Sequence, residues 1–378
     1  MIIINKYFKS ILILLNIIFI VSTICLIFYL FNSNIIPIKY IVIYIIIILV
    51  NSLLYIIPNR IIKYLSIITF ILLTIINITT FYYTYNTNKL IININAESKT
   101  KSLSNKKIND NLVFNILLSG IDTSGSIDTV SRSDVNIVMT VNSKTSEVLL
   151  TTIQRDMLVS LHNREGLKDK LTHAGIYGID TSLKTIEDFL QTTIPYYIRL
   201  NFDSFINIID MLDGIDINND ISFQGNTRYF SQGIIHLTSN EALEYVRERK
   251  KMPAGDWTRG EHQQEIIKAV IKKVSSNKSI LTNYNKLINI LDNTIQTNIS
   301  EEIIRKCIYN QLENMPNWKI EKYTVLGSGY GYEKTYSMPK TNLYVTYPDE
   351  DSRYEASRLI NGMLNNISYQ ELIVGRNK

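Results

Sequence analysis

Two carboxylates twelve positions apart, Asp122 and Asp134, and two arginines, Arg132 and Arg155, form the first concentration of chemistry in the chain. They fall in GIDTSGSIDTVSRSDVNIVMTVN, Gly120 to Asn142, and in its continuation TTIQRD, Thr151 to Asp156. Carboxylate oxygens suit a hard divalent cation, and guanidinium forks suit phosphate. Together the residues point to a magnesium ion shared with a phosphate-bearing substrate. Taken alone, such a pair of acids is more often a loop cap, and such arginines more often surface ion pairs.

A second cluster outweighs that plainer reading. HLTSNEALEYVRERKKMPAGDWTRGEHQQ runs from His236 to Gln264. Arg247 and Arg249 are two apart at the end of a helical pattern, so they face one way if the chain is extended there. Asp256, Arg259 and Gln263 are spaced i, i+3, i+7, which is one face of a helix. A phosphate near the start of that helix gains from its free N–H groups and its dipole. Arg132, Arg155, Arg247, Arg249 and Arg259 are therefore expected to converge on one anionic group.

The elements that position these residues read as an α/β alternation. Strands are expected at Val113 to Leu118, Val135 to Val141, Glu147 to Ile153, Tyr196 to Asn201 and Lys319 to Leu326, with short extended pieces at Ile215 to Phe223 and Gly233 to Leu237. Arg132 and Asp134 then share a strand face. Helices are expected at Thr181 to Leu190, Phe202 to Leu212, Trp257 to Val274, Tyr284 to Leu291, Glu301 to Glu313 and Asp351 to Asn365. Thr238 with Glu241 three residues later forms a capping box for another helix. The run GSGYG, Gly327 to Gly331, reads as a flexible loop.

The two signatures, in this order and about a hundred residues apart, resemble the LytR–CpsA–Psr family of cell-wall glycopolymer transferases, from roughly Asn111 to the C-terminus. The resemblance implies a three-layer α/β/α sandwich with a mixed central sheet and a deep apolar pocket for a polyprenyl tail. It implies metal-binding roles for Asp122 and Asp134, with magnesium (manganese as a substitute). It implies pyrophosphate contacts from Arg132, Arg155, Arg247, Arg249 and Arg259, with Asp256 and Gln263 in the same site. The implied reaction moves a glycopolymer from a polyprenyl-pyrophosphate carrier to peptidoglycan through a phosphodiester. Asp134 or Asp156 would take the acceptor's proton. Ser124, Gln154 and His262 depart from the family's usual residues. A non-catalytic sensor of lipid-linked precursor and a plain lipid-pyrophosphate hydrolase fit the same residues.

Composition narrows the setting. The chain has 378 residues, 46% of them hydrophobic, and a net charge of +5. Lys6, Lys9, Lys39, Arg60 and Lys63 are the only charged residues before Lys89, which leaves 34 basic and 34 acidic residues downstream. The downstream part has no field for nucleic acid. Phe8 to Phe31, Tyr40 to Ile57 and Tyr64 to Tyr83 approach the ~20 apolar residues of a spanning helix. The expected division is a membrane region of three transmembrane helices over 1–85, a polar linker over 86–111 and an extracellular catalytic domain over 112–378. Basic residues flank the first run's start and lie between the second and third, so the positive-inside rule places the N-terminus in the cytoplasm. Cys25 and Cys307 are expected not to meet. No P-loop signature occurs, and the four histidines lack metal-ligand spacing.

Overall fold

The computed structural model describes residues 2–57, 59–97, 112–164, 166–275 and 295–375. The expected helix Tyr284 to Leu291 and the basic run within the linker lie outside them. The chain divides into two compact units, Met1–Ile92 with Ser300–Met315, and Asn93–Ile299 with Pro316–Lys378.

The first unit holds α1 (Ile2–Ser33), α2 (Ile38–Ile56) and α3 (Arg60–Glu97). Pro37 stands just before α2, where a missing N–H breaks no helical bond. Among the described residues, Tyr64–Ile92 is long and apolar enough to cross a membrane, and Ile17–Ser33 and Ile38–Leu54 are shorter apolar helices. Ile24, Phe28, Leu53 and Ile78 are exposed, while Thr23, Asn51, Ser66 and Asn77 are buried. The Asn77 amide donates to Thr23 Oγ1 at 2.9 Å, and Ser66 Oγ donates to Asn51 Oδ1 at 3.1 Å. Apolar residues outside and paired polar residues inside suit a hydrocarbon solvent.

Two features of this unit differ from the sequence reading. Helix α3 continues to Glu97, so the first part of the expected linker is helical; Leu90 and Ile91 are buried and give it an apolar face. The helix Glu301–Asn314, expected as part of the catalytic domain, belongs here. Its Arg305 donates to the Ser33 carbonyl at 2.9 Å and to Asn88.

The second unit is built on a mixed α/β plan. Its strands are β1 (Val113–Ile121), β2 (Ser133–Asn142), β3 (Glu147–Thr152), β4 (Leu158–Ser160), β5 (Lys168–Lys170), β6 (Tyr196–Leu200) and β7 (Ile215–Asn219). They continue with β8 (Phe223–Gln224), β9 (Tyr229–Phe230), β10 (Gly233–Leu237), β11 (Gln296–Thr297), β12 (Lys319–Thr324), β13 (Gly327–Glu333) and β14 (Leu343–Pro348). The central sheet has six strands in the order β11-β6-β1-β2-β3-β12. β1 runs parallel to β6 and β3 parallel to β12; the other neighbours are antiparallel.

Alternation along the strands makes two cores. Leu117, Val138 and Leu149 cluster with Leu183 and Ile186 of α5 (Ile179–Leu190) and with Leu359 and Ile360 of the helix Glu350–Leu364. Ile137, Leu150 and the partly buried Leu118 face the other way, against Ile267 and Ile271 of α8 (Asp256–Ser275). Successive side chains on opposite sheet faces give three layers, and each fully buried aliphatic side chain contributes roughly 1.5–3 kcal/mol. A third cluster joins α6 (Phe202–Met211), α7 (Ser239–Arg247), α8 and the β7–β10 ribbon through Ile209, Leu237, Tyr245 and Ile266. The Asn201 side chain caps α6 by accepting from the Ser204 N–H at 2.9 Å. The Glu241 carboxylate reaches back to the Thr238 N–H at 2.9 Å, the bond expected of a capping box.

The glycine- and tyrosine-rich run is a strand and not a loop. β13 pairs antiparallel with β14. Glycines at alternate positions conceal the period of two, because Glu333 alone carries a side chain on that face of the strand.

Candidate active site

A cavity of about 500 Å³ opens among β1, β2, α6, α7 and α8. Leu118, Val135, Leu200, Phe205, Val246 and Ile266 supply apolar lining. Asp122, Arg132, Asp134, Arg155, Arg247, Arg249, Arg259 and Gln263 line it as well, so eight of the ten residues expected from sequence meet in one place. Arg132, Arg247, Arg249 and Lys250 are exposed and mark the open side.

Local geometry explains the convergence. β1 ends at Ile121 and delivers Asp122; β2 begins at Ser133, between Arg132 and Asp134. The register of this pair shifts between Gly120 and Ile121, and a Cβ at Gly120 would sit 2.7 Å from Val135 Cγ2. Beyond β3 the chain carries Arg155. α7 ends at Arg247, and the next residue, Glu248, is extended, which turns Arg247 and Arg249 the same way as anticipated. Arg259 and Gln263 come from the first two turns of α8.

Acid–base pairing organises the cluster. Asp122 lies 3.7 Å from Arg132. Asp134 accepts from Arg155 through Oδ2 and from Thr172 Oγ1 at 3.1 Å through Oδ1. Asp256 sits behind Arg259 at 2.5 Å. Asp156 is 4% exposed and pairs with Lys170 and, at 3.6 Å, with Arg155. Asp156 and Asp256 thus support the arginines from behind and do not line the cavity.

Burial and charge pull the site's ionisation in definite directions. Burial raises Asp256, against the pull of Arg259. Burial lowers Arg259, with Asp256 opposing. For Arg155, burial alone would lower the value, but Asp134, Asp156 and Asp256 outweigh it and the net shift is upward. The flanking carboxylates thus hold Arg155 in its charged form. The lining carries six basic side chains (Arg132, Arg155, Arg247, Arg249, Lys250 and Arg259) against three acidic ones (Asp122, Asp134 and Glu248), so it favours an anion of multiple charge.

Several participants lie outside the sequence expectation. Lys170 and Thr172 reach Asp156 and Asp134 from the turn that joins β5 to the short helix α4 (Leu171–Ala174). Their two-residue spacing was the only sequence signal. Phe202 receives the Arg247 guanidinium at 4.4 Å from its ring centroid. The three departures from the family pattern do not line the cavity: Ser124 is exposed, Gln154 lies beside the arginine, and His262 is buried in an aromatic stack with Tyr245 at 4.0 Å. Among the described residues no group of three or more His, Cys, Asp or Glu is placed to hold a metal. Asp122 and Asp134 are nonetheless hard oxygen donors on the same cavity as the arginines, a set that suits magnesium when phosphate oxygens and water complete its shell.

Comparison with known proteins agrees with the fold. Residues 78–350 match the LytR_cpsA_psr family. The polyisoprenyl-teichoic acid–peptidoglycan teichoic acid transferase TagU of Bacillus mycoides is 34% identical over 210 residues, covering 55% of this chain and 68% of that protein. The protein of the same name from Bacillus cereus is 34% identical over 231 residues, 60% of this chain and 75% of the relative. The crystal structure of B. subtilis TagV superposes with a TM-score of 0.55 at 29% identity, covering 68% of this chain and 99% of that one.

Proposed function

From the premise that the chain belongs to the LytR_cpsA_psr family, we propose that it transfers a phosphate-linked glycopolymer from a polyprenyl-pyrophosphate carrier to peptidoglycan. The observation that carries this reading is the cavity lining: six basic side chains against three acidic ones, contiguous with an apolar interior. A lipid pyrophosphate has that combination of a multiply charged head and an apolar tail.

In this reading Arg155, held between Asp134 and Asp156, and Arg259, held by Asp256, meet the pyrophosphate oxygens. Arg132, Arg247 and Arg249 contribute from the open side, and Gln263 offers an amide donor. A peptidoglycan hydroxyl attacks the sugar-proximal phosphorus. The new P–O bond forms as the bond to the bridging oxygen breaks, and polyprenyl phosphate departs with the bonding electrons. Of the two acids considered for the hydroxyl proton, Asp134 faces the cavity and Asp156 is sealed behind Arg155 and Lys170. The proton is therefore assigned to Asp134. Asp122 and Asp134 would hold magnesium, which when bound neutralises charge on the pyrophosphate. Preorganised guanidinium groups stabilise the charge that develops on the departing phosphate.

The same reading takes α1, α2 and α3 as three membrane spans, with the N-terminus in the cytoplasm and the catalytic unit outside the cell membrane. The donor then comes from the membrane lipid and the acceptor from the wall.

The test is transfer of labelled lipid-linked sugar to peptidoglycan fragments, with magnesium titrated in. Asp134→Ala and Asp122→Ala are expected to bind lipid pyrophosphate while transfer falls by orders of magnitude, about the 10²–10³ of a lost charge-stabilising group. Wild-type rates in both variants, or turnover indifferent to strong chelation, would sink the assignment. Binding without turnover by the wild type would identify a sensor, and release of polymer to water without an acceptor would identify a hydrolase.

A further inference from the structure

The β13–β14 ribbon carries three tyrosines that neither the cores nor the cavity uses. Tyr330 and Tyr332 are 70% and 67% exposed, and Tyr344 is also exposed. Register puts them on one face: Tyr332 pairs with Tyr344, and Tyr330 with the next residue of that face, Thr346. The Tyr330 and Tyr344 rings stack at 5.7 Å and 29°, and Tyr332 meets Tyr344 edge-on at 6.1 Å. On the opposite face Val345 is fully buried, and the half-buried Tyr347 ring lies over Gly331, where a Cβ would come within 2.3 Å of its hydroxyl. Tyr347 donates to Glu333 at 2.6 Å, so the one charged residue within these two strands is on that face and not among the three tyrosines.

The ribbon is sewn to the chain segment that bears the site's central arginine. The Thr346 N–H donates to the Asp156 carbonyl at 2.9 Å, and Met157 bridges to Thr346. Arg155 is the residue before Asp156. The aromatic face is thus fixed in register with the candidate active site by main-chain bonds.

We propose that Tyr330, Tyr332 and Tyr344 form a stacking platform for a saccharide chain, the glycan of the acceptor; this rests on the transferase reading. A pyranose presents an apolar C–H face that covers an aromatic ring and a hydroxyl rim that reaches phenol oxygens, so exposed tyrosines meet both halves of its chemistry. Glu333 and the exposed Lys334 end the strand with one charge of each sign, which gives an anionic lipid surface no net attraction of the kind clustered Lys and Arg provide. Continuity with the Arg155–Asp156 segment argues for the partner that must lie near the reacting phosphate.

The experiment uses full-length protein in detergent and insoluble peptidoglycan stripped of secondary polymers. The Tyr330→Ala/Tyr332→Ala double variant is expected to lose cosedimentation with the glycan by at least about tenfold, the scale of one or two lost aromatic contacts. Tyr330→Phe, which keeps the ring, should retain it. Binding of lipid pyrophosphate by the double variant should match wild type, and so should its melting temperature, since both side chains are exposed. Wild-type cosedimentation of the double variant would overturn the platform. So would an equal loss of binding to anionic vesicles that contain no glycan, which would make the face a membrane contact. The sedimentation arm reads without turnover, so failure of the transferase assay and failure of the platform are separate results.

Discussion

His262 shows how a residue that departs from the family pattern is accommodated without touching the chemistry. It is buried against Tyr245 and Phe223, which also touch each other, with Nδ1 3.2 Å from the Tyr245 carbonyl, which requires the N–H tautomer at that nitrogen. Burial lowers its pKa to about 4. The folded value lies below the unfolded one, so the unfolded chain binds the extra proton between about pH 6.5 and 4 and stability falls as pH drops through that window, by up to about 3 kcal/mol. Urea unfolding of His262→Phe should give a flatter pH dependence over this range than wild type, and parallel curves would refute the cause. Arg155 makes a second residue-scale case. Its guanidinium spans Asp134 and Asp156, and an ammonium has no fork to do so. Arg155→Lys should fold normally yet lose transfer by on the order of a hundredfold, the scale of a misplaced catalytic contact; single-turnover rates would decide it. The arginines and acids were legible in the sequence because strand and helix spacing alone puts each pair on one face. Lys170, Thr172 and Phe202 were not, because their contacts depend on packing between elements distant in the chain.

At the scale of elements, the long periodic strands and helices of the second unit's described residues followed from sequence to within a few residues, while α3 ran on past its apolar run and the shortest elements were not foreseen. The stretch KLTHAGIYG splits into the end of β5, one turn of α4 and a 3-10 turn at Gly175–Tyr177, each too brief to show a period. The first of its two glycines has a packing duty. A Cβ on Gly175 would lie 2.6 Å from the Ser131 carbonyl and 2.9 Å from the Ser133 amide, on either side of Arg132. Gly175→Ala should displace the start of β2, destabilise the fold by about 1–3 kcal/mol as overpacking does, and weaken lipid-pyrophosphate binding along with it. A variant that melts and binds like wild type would show that this approach is not tight. The Gly–Tyr alternation of β13 misled for a different reason: composition marks such a run as a loop, and only the pairing with β14 supplies the missing face.

For the whole molecule, the charge pattern before Lys89 makes a directional prediction. Protease added to intact protoplasts should digest the catalytic unit, and full protection of that unit would refute an external location. The helix Glu301–Asn314 belongs to the unit of apolar helices, which its place in the sequence could not reveal because the chain leaves that unit after α3 and returns two hundred residues later. The size of the cavity has a consequence of its own. A space of about 500 Å³ lies within the roughly 300–1,000 Å³ of pockets that enclose one small molecule, so it takes only a short length of polyprenyl chain. A polyprenyl tail longer than that is only partly housed, and the remainder stays in the hydrocarbon. Moving a few isoprene units from one apolar medium to another changes little free energy, since the driving force in either case is exclusion from water. Short donors taken from water should then gain affinity steeply with each added unit until the cavity is full, while donors long enough to reside in the membrane should differ little. Short-chain donors would mark the crossover, measuring by titration how deep the protein reaches along its lipid.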